Sequence, residues 1–417
     1  MQIVAHEDDD LFFQSPDMLH DIQAGRCVRT VFVTAGDDAK GRPYWSGRER
    51  ASQAAYAEMA GVANAWTTSD AGVPGRAIRM QTLTAAPRIS LVFMRLPDGN
   101  RRGTGMIVHH HESLMKLWKG SLKSIHAVDG SATYTGAALR QTLAALMSGF
   151  RPTSVRTQDW ARPFGTGDNA DHIAVALFTR QANGGYTSAH TLSAYQGYPA
   201  WIRPPNVVGQ DLAARRRALR AYAAHDPKVC LKLWCPKSLA YLSRLARQYL
   251  LASRSTGNSA RERGVTVTAS SQNTWADETA RKAIDGFALG YPIDPTREWA
   301  TDGGKADSWI QLDFPAPTSI NGVVLADRPN LDDQVTGATL LFSDGSTVRT
   351  GPLPNNGSPL SVGFPGRNTT WVRLTVTSVS PATQSVGLAE METYANMPGF
   401  QPPSAGAKGD QWFYRAP

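Results

Sequence analysis

The chain has 417 residues, 41% of them apolar and 19% charged, with a net charge of +8 and a pI near 9.4. That length exceeds one ordinary core and fits two domains, and the composition is that of a globular rather than a disordered protein. No run of about 18 apolar residues is present to form a membrane-spanning helix. The basic residues gather only in small clusters such as Arg101-Arg102 and Arg215-Arg216-Arg217, with no nucleic-acid reading motif beside them. The excess charge therefore reads as solvated surface, able to steer an anionic glycan or phosphate-bearing substrate, and no nucleic-acid partner is expected.

Met1 to Ala5 reads as a short apolar strand that ends abruptly in His6-Glu7-Asp8-Asp9-Asp10. One imidazole and four consecutive carboxylates are a costly cluster for any core. A divalent cation would compensate the charge: His6 and Asp9, three apart past a strand end, can turn toward one point, leaving Asp8 free as a base. The alternative is a solvated acidic turn capping the next helix. With no leader ahead of this strand, the chain is either cytosolic or the mature form of a secreted protein.

A helix over 16–24 is stopped by Gly25, a buried strand over 27–34 leads to Gly36-Asp37-Asp38, and an alanine-rich helix runs over 48–61. Residues 89–94 form a further strand, followed by Leu96-Pro97-Asp98-Gly99. The stretch 100–135 is the least regular and holds His109-His110-His111-Glu112. Consecutive rings point in different directions and rarely share one ion, so a substrate-facing loop is the favoured reading. A helix over 136–147 precedes the strand that delivers Asp168-Asn169-Ala170-Asp171-His172, with a helix continuing over 172–179. A strand over 188–195 and helices over 211–224 and 236–252 complete this part. Of three cysteines, Cys230 and Cys235 are close enough to pair if their turn permits, and Cys27 is expected to be buried. Alternation of strands and helices predicts an α/β fold, a Rossmann-like, mostly parallel sheet with helices on both faces. Ligands sit at the carboxyl ends of such strands, which places His6, Asp37, Asp98 and the 168–172 loop on one rim.

With both acidic motifs in view, residues 1–252 resemble the PIG-L/LmbE family of metal-dependent N-acetylglucosaminyl deacetylases. That family carries His-Pro-Asp-Asp-Glu after its first strand and His-Pro-Asp-His later, and His6, Asp8 and Asp9 match the first. The resemblance implies zinc or another divalent metal on His6, Asp9 and His172, with Asp8 as general base. It also implies substrate or transition-state contacts among Asn169, Asp171, Arg48 and Asp98, to which the loop histidines His109, His110 and His111 add further candidates from the reading of the residues alone. Arg50 competes with Arg48 for the family's arginine. The chain departs from the pattern at Glu7, Asp10 and Asn169; the last replaces a histidine thought to stabilise the oxyanion or protonate the leaving group.

Ser253 to Glu262 is polar and small-residue-rich, as a linker is. Beyond it, 263–396 consists of short alternating runs such as Trp309–Phe314, Asn321–Ala326, Gly337–Ser343 and Thr370–Val376, which predict a β-sandwich. Lys282-Ala-Ile-Asp-Gly286, Trp299, Ser308-Trp-Ile-Gln-Leu-Asp313, Phe342-Ser-Asp-Gly-Ser346 and Gly387-Leu-Ala-Glu390 together resemble the discoidin, or coagulation factor C-type, jelly-roll family. That resemblance implies glycan binding through loops and a structural calcium on Asp285 and Glu390. Trp299 and Trp309 are read as core, Trp275 and Tyr291 as loop aromatics. Residues 397–417 form a tail whose Trp412-Phe-Tyr414 has the composition to fold back.

The reading as a whole is a zinc-dependent hydrolase that removes the N-acetyl group from an N-acetylglucosamine-containing glycan or glycoconjugate, with an appended carbohydrate-binding domain that favours a secreted address. Two alternatives stay open: a non-catalytic glycan-binding or adhesion protein with a degenerate deacetylase domain, and a deacylase of a glycopeptide or glycolipid.

Overall fold

The computed structural model describes residues 1–188, 190–229, 238–288, 290–291, 294–355, 358–395 and 397. It divides into two compact units, one of residues 1–188 and 192–248, the other of 189–191 and 249–417. No helix among the described residues is long and apolar enough to cross a membrane.

In the first unit the strands are β1 (Gln2–Val4), β2 (Val28–Thr34), β3 (Trp66–Asp70), β4 (Arg79–Leu83), β5 (Ile89–Leu96), the hairpin β6 (Ile125–His126) and β7 (Thr133–Tyr134), β8 (Ser154–Gln158) and β9 (Thr191–Tyr195). The helices are α1 (Asp17–Gln23), α2 (Arg42–Ala60), α3 (Leu114–Trp118), α4 (Gly136–Phe150), α5 (Ala170–Asn183), α6 (Gly209–Ala223) and α7 (Ser238–Leu245). The sheet runs in the order β9-β8-β1-β2-β5-β4-β3. β1 pairs in parallel with β8 and β2, and β2 with β5, while β4 and β3 add an antiparallel edge. One helical layer packs α2 against α1 and α6; another packs α5 against α3 and α4. Because β8, β1, β2 and β5 are parallel, the segments after each of them leave the same edge of the sheet, which is where an α/β fold builds its sites.

The helix α2 begins at Arg42, ahead of the expected start, because Pro43 in its first turn suits a helix N-terminus; it ends at Gly61, whose φ of 64° gives the left-handed cap. The expected helix over 236–252 is a correction. α7 ends at Leu245 and Leu250–Ser255 is a strand, β10. Asn206 hydrogen-bonds the carbonyl of Gln248 at 2.5 Å and its amide at 2.9 Å, which removes from the backbone the groups a continuing helix needs. Cys27 is exposed rather than buried, one residue before β2. Cys230, Cys235 and the tail aromatics lie outside the described residues.

In the second unit, β10 and a 3-10 turn over Ser259–Arg261, capped by Asn258, occupy most of the stretch read as a linker. There follow β11 (Thr266–Ala269), β12 (Trp299–Ala300), β13 (Trp309–Ala326), β14 (Val335–Phe342), β15 (Thr347–Thr350), β16 (Leu360–Val379), β17 (Gly387–Leu388) and β18 (Glu390–Tyr394). One antiparallel sheet has the order β11-β13-β16-β14-β15, with β18 also paired to β13, and β12 pairs β17. The unit is thus the expected all-β sandwich, closed around Trp299, Ile310, Leu312, Leu340, Phe342, Phe364 and Leu374. The two strands expected over 309–326 are one bent strand whose ladder is interrupted between Asp313 and Thr318, where Pro315 and Pro317 cannot donate. Trp299 is core as expected. Trp309 is only half-buried, with Arg373 4.3 Å from its ring centroid.

Between β1 and α1, Asp10–Gln14 forms a short π-helical turn. Its carbonyls are held by Arg215 of α6, which donates to Leu11 O at 3.0 Å and Phe12 O at 2.8 Å while also binding Leu245 O. Burial pulls this guanidinium down to about 9. Substituting Arg215→Met leaves those buried carbonyls without donors and is expected to cost about 2–4 kcal/mol. Denaturant unfolding of the full chain checks this, and a midpoint equal to that of the wild type would contradict it.

Candidate metal centre

The loop after β1 turns His6 and Asp9 back on themselves: Asp9 Oδ2 accepts from the His6 amide at 2.7 Å and lies 3.1 Å from His6 Nδ1. The first turn of α5 delivers His172, whose Nε2 lies 3.0 Å from Asp9 Oδ1. One ligand atom from each of His6, Asp9 and His172 can be chosen so that all lie within 4.8 Å of one another, and the three residues are 5%, 2% and 0% exposed. Although close to Asp9 Oδ1, the buried His172 Nε2 makes no well-directed hydrogen bond. On the opposite ring nitrogens stand carboxylates: Asp168 Oδ1 lies 2.9 Å from His172 Nδ1, and Asp171 Oδ2 lies 3.6 Å from His6 Nε2. Two imidazoles and a carboxylate are a donor set that fits zinc, and Asp168 at hydrogen-bond distance fixes the tautomer of His172.

Among the described residues one other group could gather an ion, His6 with Asp98 and Asp171. There Asp171 Oδ2 already accepts from the Gly99 amide at 2.8 Å. This close approach depends on Gly99, since a Cβ there would lie 2.6 Å from Asp171 Oδ1.

The acidic run is compensated residue by residue. Arg48 of α2 reaches Asp8 Oδ1 at 2.5 Å and Glu7 Oε2 at 3.4 Å, and it is held from behind by Tyr222, Asp226 and the Gly36 carbonyl. A Cβ on Gly36 would lie 1.9 Å from Arg48 Nη1. Burial pushes Glu7 and Asp10 up to about 8, so both are protonated at neutral pH, and Asp10 is further bound by Tyr56. Burial opposes the charge of Asp9 too, but His172 and His6 outweigh it and hold its carboxyl well below the usual range. Asp8 differs from its neighbours in exposure: its side chain is 20% accessible where those of Glu7 and Asp9 are nearly closed. Burial still lifts its pKa by more than Arg48 pulls it down.

The remaining expected contacts separate clearly. Arg48 stands behind Asp8 rather than facing open space, and Arg50 is an exposed residue bonded to Ser46. Asn169 caps α5, its Oδ1 accepting from Asp171 N at 2.9 Å. Asp98 joins the rim through its amide, which donates to Asp37 Oδ1 at 3.0 Å. His109 Nε2 lies 2.7 Å from Asp37 Oδ2, while His110 and His111 are exposed. Tyr198 was not foreseen: its ring centroid lies 5.0 Å from that of His172, its amide donates to Asp168 Oδ1, and the Arg244 guanidinium lies 4.7 Å from its ring centroid. The available signal was position, because Gly197-Tyr198 closely follows β9. Phe13 packs on the same imidazole at 5.6 Å.

In the second unit Glu390 accepts from the Gly286 amide at 2.9 Å, and its other oxygen is buried without a partner. Asp285 bonds the Phe287 amide and lies 3.4 Å from Arg297. Arg261 also stands here, its Nη1 1.9 Å from where a Cβ on Gly286 would be, so a guanidinium already accompanies the acids expected to hold calcium. Glu392, one strand period from Glu390, is pushed by burial from 4.5 to about 7. Its folded-state pKa is raised, so between those values the folded chain keeps a proton that the unfolded chain has lost, and stability falls as pH rises through that window. Glu392→Gln removes this loss. The melting temperature of Glu392→Gln relative to the wild type is expected to rise from pH 5 to pH 8, and a constant difference would contradict the assignment.

Comparison with known proteins follows the same division. Residues 1–183 match the family described as GlcNAc-PI de-N-acetylase, PIG-L, and residues 258–394 match a domain of unknown function, DUF7402. No curated protein matches the chain. Among solved structures, the sandwich is similar to CpGH89CBM32-5 from Clostridium perfringens in complex with GalNAc-beta-1,3-galactose, at 17% identity and TM-score 0.28, covering 34% of this chain and 100% of that one. It is also similar to the family 32 CBM from C. perfringens NanJ in complex with galactose, at 15% identity and TM-score 0.27, covering 33% and 97%. A third is chitosan-binding module 1 from the chitosanase/glucanase of Paenibacillus sp. IK-5, at 22% identity and TM-score 0.27, covering 33% and 99%. The first 183 residues of the chain, with the paired histidines and their carboxylates, are a domain of the PIG-L family.

Proposed function

We propose that the first unit is a metal-dependent amidase that removes the acetyl group from an N-acetylated amino sugar of a glycan or glycoconjugate, and that the second unit binds carbohydrate. The observation that carries this reading is the convergence of His6, Asp9 and His172, with Asp168 hydrogen-bonded behind His172, beside the partly accessible Asp8. His6, Asp9 and His172 would hold zinc, which when bound would supply Lewis acidity toward the acetyl carbonyl and a bound water.

The chain's own groups do the rest. Asp8 takes a proton from the attacking water, burial raising its pKa and so its basicity for that task. Arg48 fixes Asp8 Oδ1 and so leaves Oδ2 to receive the proton. Phe13 and Tyr198 cover His172 and limit the access of bulk water to it. For the second unit, Trp275 at 100% exposure and Tyr291 at 48% offer loop rings for stacking on sugar faces. A glycan-directed unit favours an extracellular address. The alternative of a glycan-binding protein without turnover is motivated by Asn169, whose side chain caps a helix and has no proton to give as an acid.

Acetate release from N-acetylglucosamine oligomers separates the two. Asp8→Asn is expected to lower kcat by about 10²–10⁴-fold with zinc content unchanged; turnover within a few-fold of wild type would remove Asp8 as the base. Asp168→Asn, on the far side of His172 from the cluster, is expected to weaken zinc affinity about 10–100-fold in a competition titration. Unchanged affinity would count against His172 as a ligand.

A further inference from the structure

Amide hydrolysis needs a proton for the departing amine, and Asp8 is tied to Arg48 on the side of the cluster where water is activated. The geometry points to His109 as the acid that protonates the leaving nitrogen, with Asp37 as its positioning residue. This rests on the amidase reading above.

Outside the metal cluster, His20 pairs with Asp211, His126 with Glu112, and His109 with Asp37. His20 and Asp211 link α1 to α6, and Glu112 clamps both the ring and the amide of His126 within a hairpin. Only Asp37 belongs to the rim. Its side chain is fully buried, one oxygen holding the His109 ring at 2.7 Å and the other accepting from Asp98 N at 3.0 Å. Asp98 in turn offers a carboxylate oxygen within 4.8 Å of a His6 nitrogen. His109 is therefore joined to the metal cluster through two residues, Asp37 and Asp98, on the rim that β2 and β5 share with β1.

The loop that carries His109 is fixed rather than loose. Gly105 packs so closely on the His111 carbonyl that a Cβ would lie 2.4 Å from it, Ser113 Oγ donates to Gly103 O at 2.6 Å, and His110 and His111 adopt positive φ of 51° and 58°. With Nε2 turned to Asp37, Nδ1 is the nitrogen left for a substrate. His109 also lines a cavity of about 460 Å³ with Lys40, Arg42, Trp45, Arg95, Val128 and Asp129. The charged groups around its ring are thus Asp37, Lys40, Arg42, Arg95 and Asp129; Arg95 is itself paired to Glu49 and Asp129. A carboxylate behind the imidazole and open volume beside it form the orienter–imidazole–substrate order that proton transfer requires.

In the step, water's oxygen bonds to the acyl carbon and one of its protons passes to Asp8. The C–N bond then breaks as the imidazolium proton of His109 Nδ1 moves to nitrogen, giving acetic acid and the amine, and transfer of the remaining carboxyl proton to the amine leaves acetate and the ammonium form. Asp8 returns its proton to solvent and His109 takes one up, so no other reactant is consumed.

The test compares zinc-loaded full-length wild type, His109→Gln and Asp37→Asn on an N-acetylglucosamine oligomer and on p-nitrophenyl acetate, whose leaving group needs no proton. His109→Gln is expected to lose about 100-fold in kcat on the amide and less than about threefold on the ester, since only the former asks for an acid. Asp37→Asn shows the same selectivity to a smaller extent. Zinc stoichiometry and the calorimetric affinity for the sugar are expected to match wild type. Equal losses on amide and ester, altered zinc content, or no loss on either would overturn the role of His109. Wild-type cleavage of the ester without any release from the amide would instead sink the deacetylase reading, and the acid role with it.

Discussion

Four adjacent acids at the end of β1 could not be buried as four charges, and the first unit is built around that constraint. Arg48 answers Glu7 and Asp8, two imidazoles answer Asp9, and Tyr56 answers Asp10. These partners come from α2, the β1 loop and α5, so the elements that solve the electrostatic problem are those that define the site. Burial itself contributes, because Glu7 and Asp10 are pushed to about 8 and carry protons at neutral pH. Asp9 is held charged by the two imidazoles, while Asp8 has Arg48 as its counter-group. The difference between them is one of exposure: Asp9 is enclosed by histidines and suited to hold an ion, whereas Asp8 keeps an oxygen accessible.

Much of this was legible in the sequence because the information was local. A strand ending in His-Glu-Asp-Asp-Asp, a second acidic stretch ending in His172, and alternation of strand and helix were enough to predict the α/β sheet and to bring His6, Asp9 and His172 to one rim. The same parallel topology predicted a shared edge for Asp37 and Asp98, which the structure joins through a hydrogen bond. The β-sandwich was readable from its alternating runs, although prolines 315 and 317 hid the continuity of β13.

What could not be read depended on tertiary partners. An arginine in a helix gives no sign of whether it faces substrate or stands behind a carboxylate; Tyr222 and Asp226, nearly two hundred residues away, decide that for Arg48. The helix expected to run to residue 252 fails because Asn206, remote in sequence, takes up the backbone groups of Gln248. Tyr198 carries no motif, and its place over His172 follows from the path of the chain after β9. Among three adjacent histidines, only the buried carboxylate of Asp37 distinguishes His109.

The most direct test of the account is the position of a bound zinc ion, found by anomalous scattering from crystals of the full chain grown with the metal. The account predicts a single strong peak in the first unit, shared by His6, Asp9 and His172, with Asp168 and Asp171 still on the far sides of the two imidazoles. A peak on His6, Asp98 and Asp171 instead, or none at this rim under saturating zinc, would contradict it.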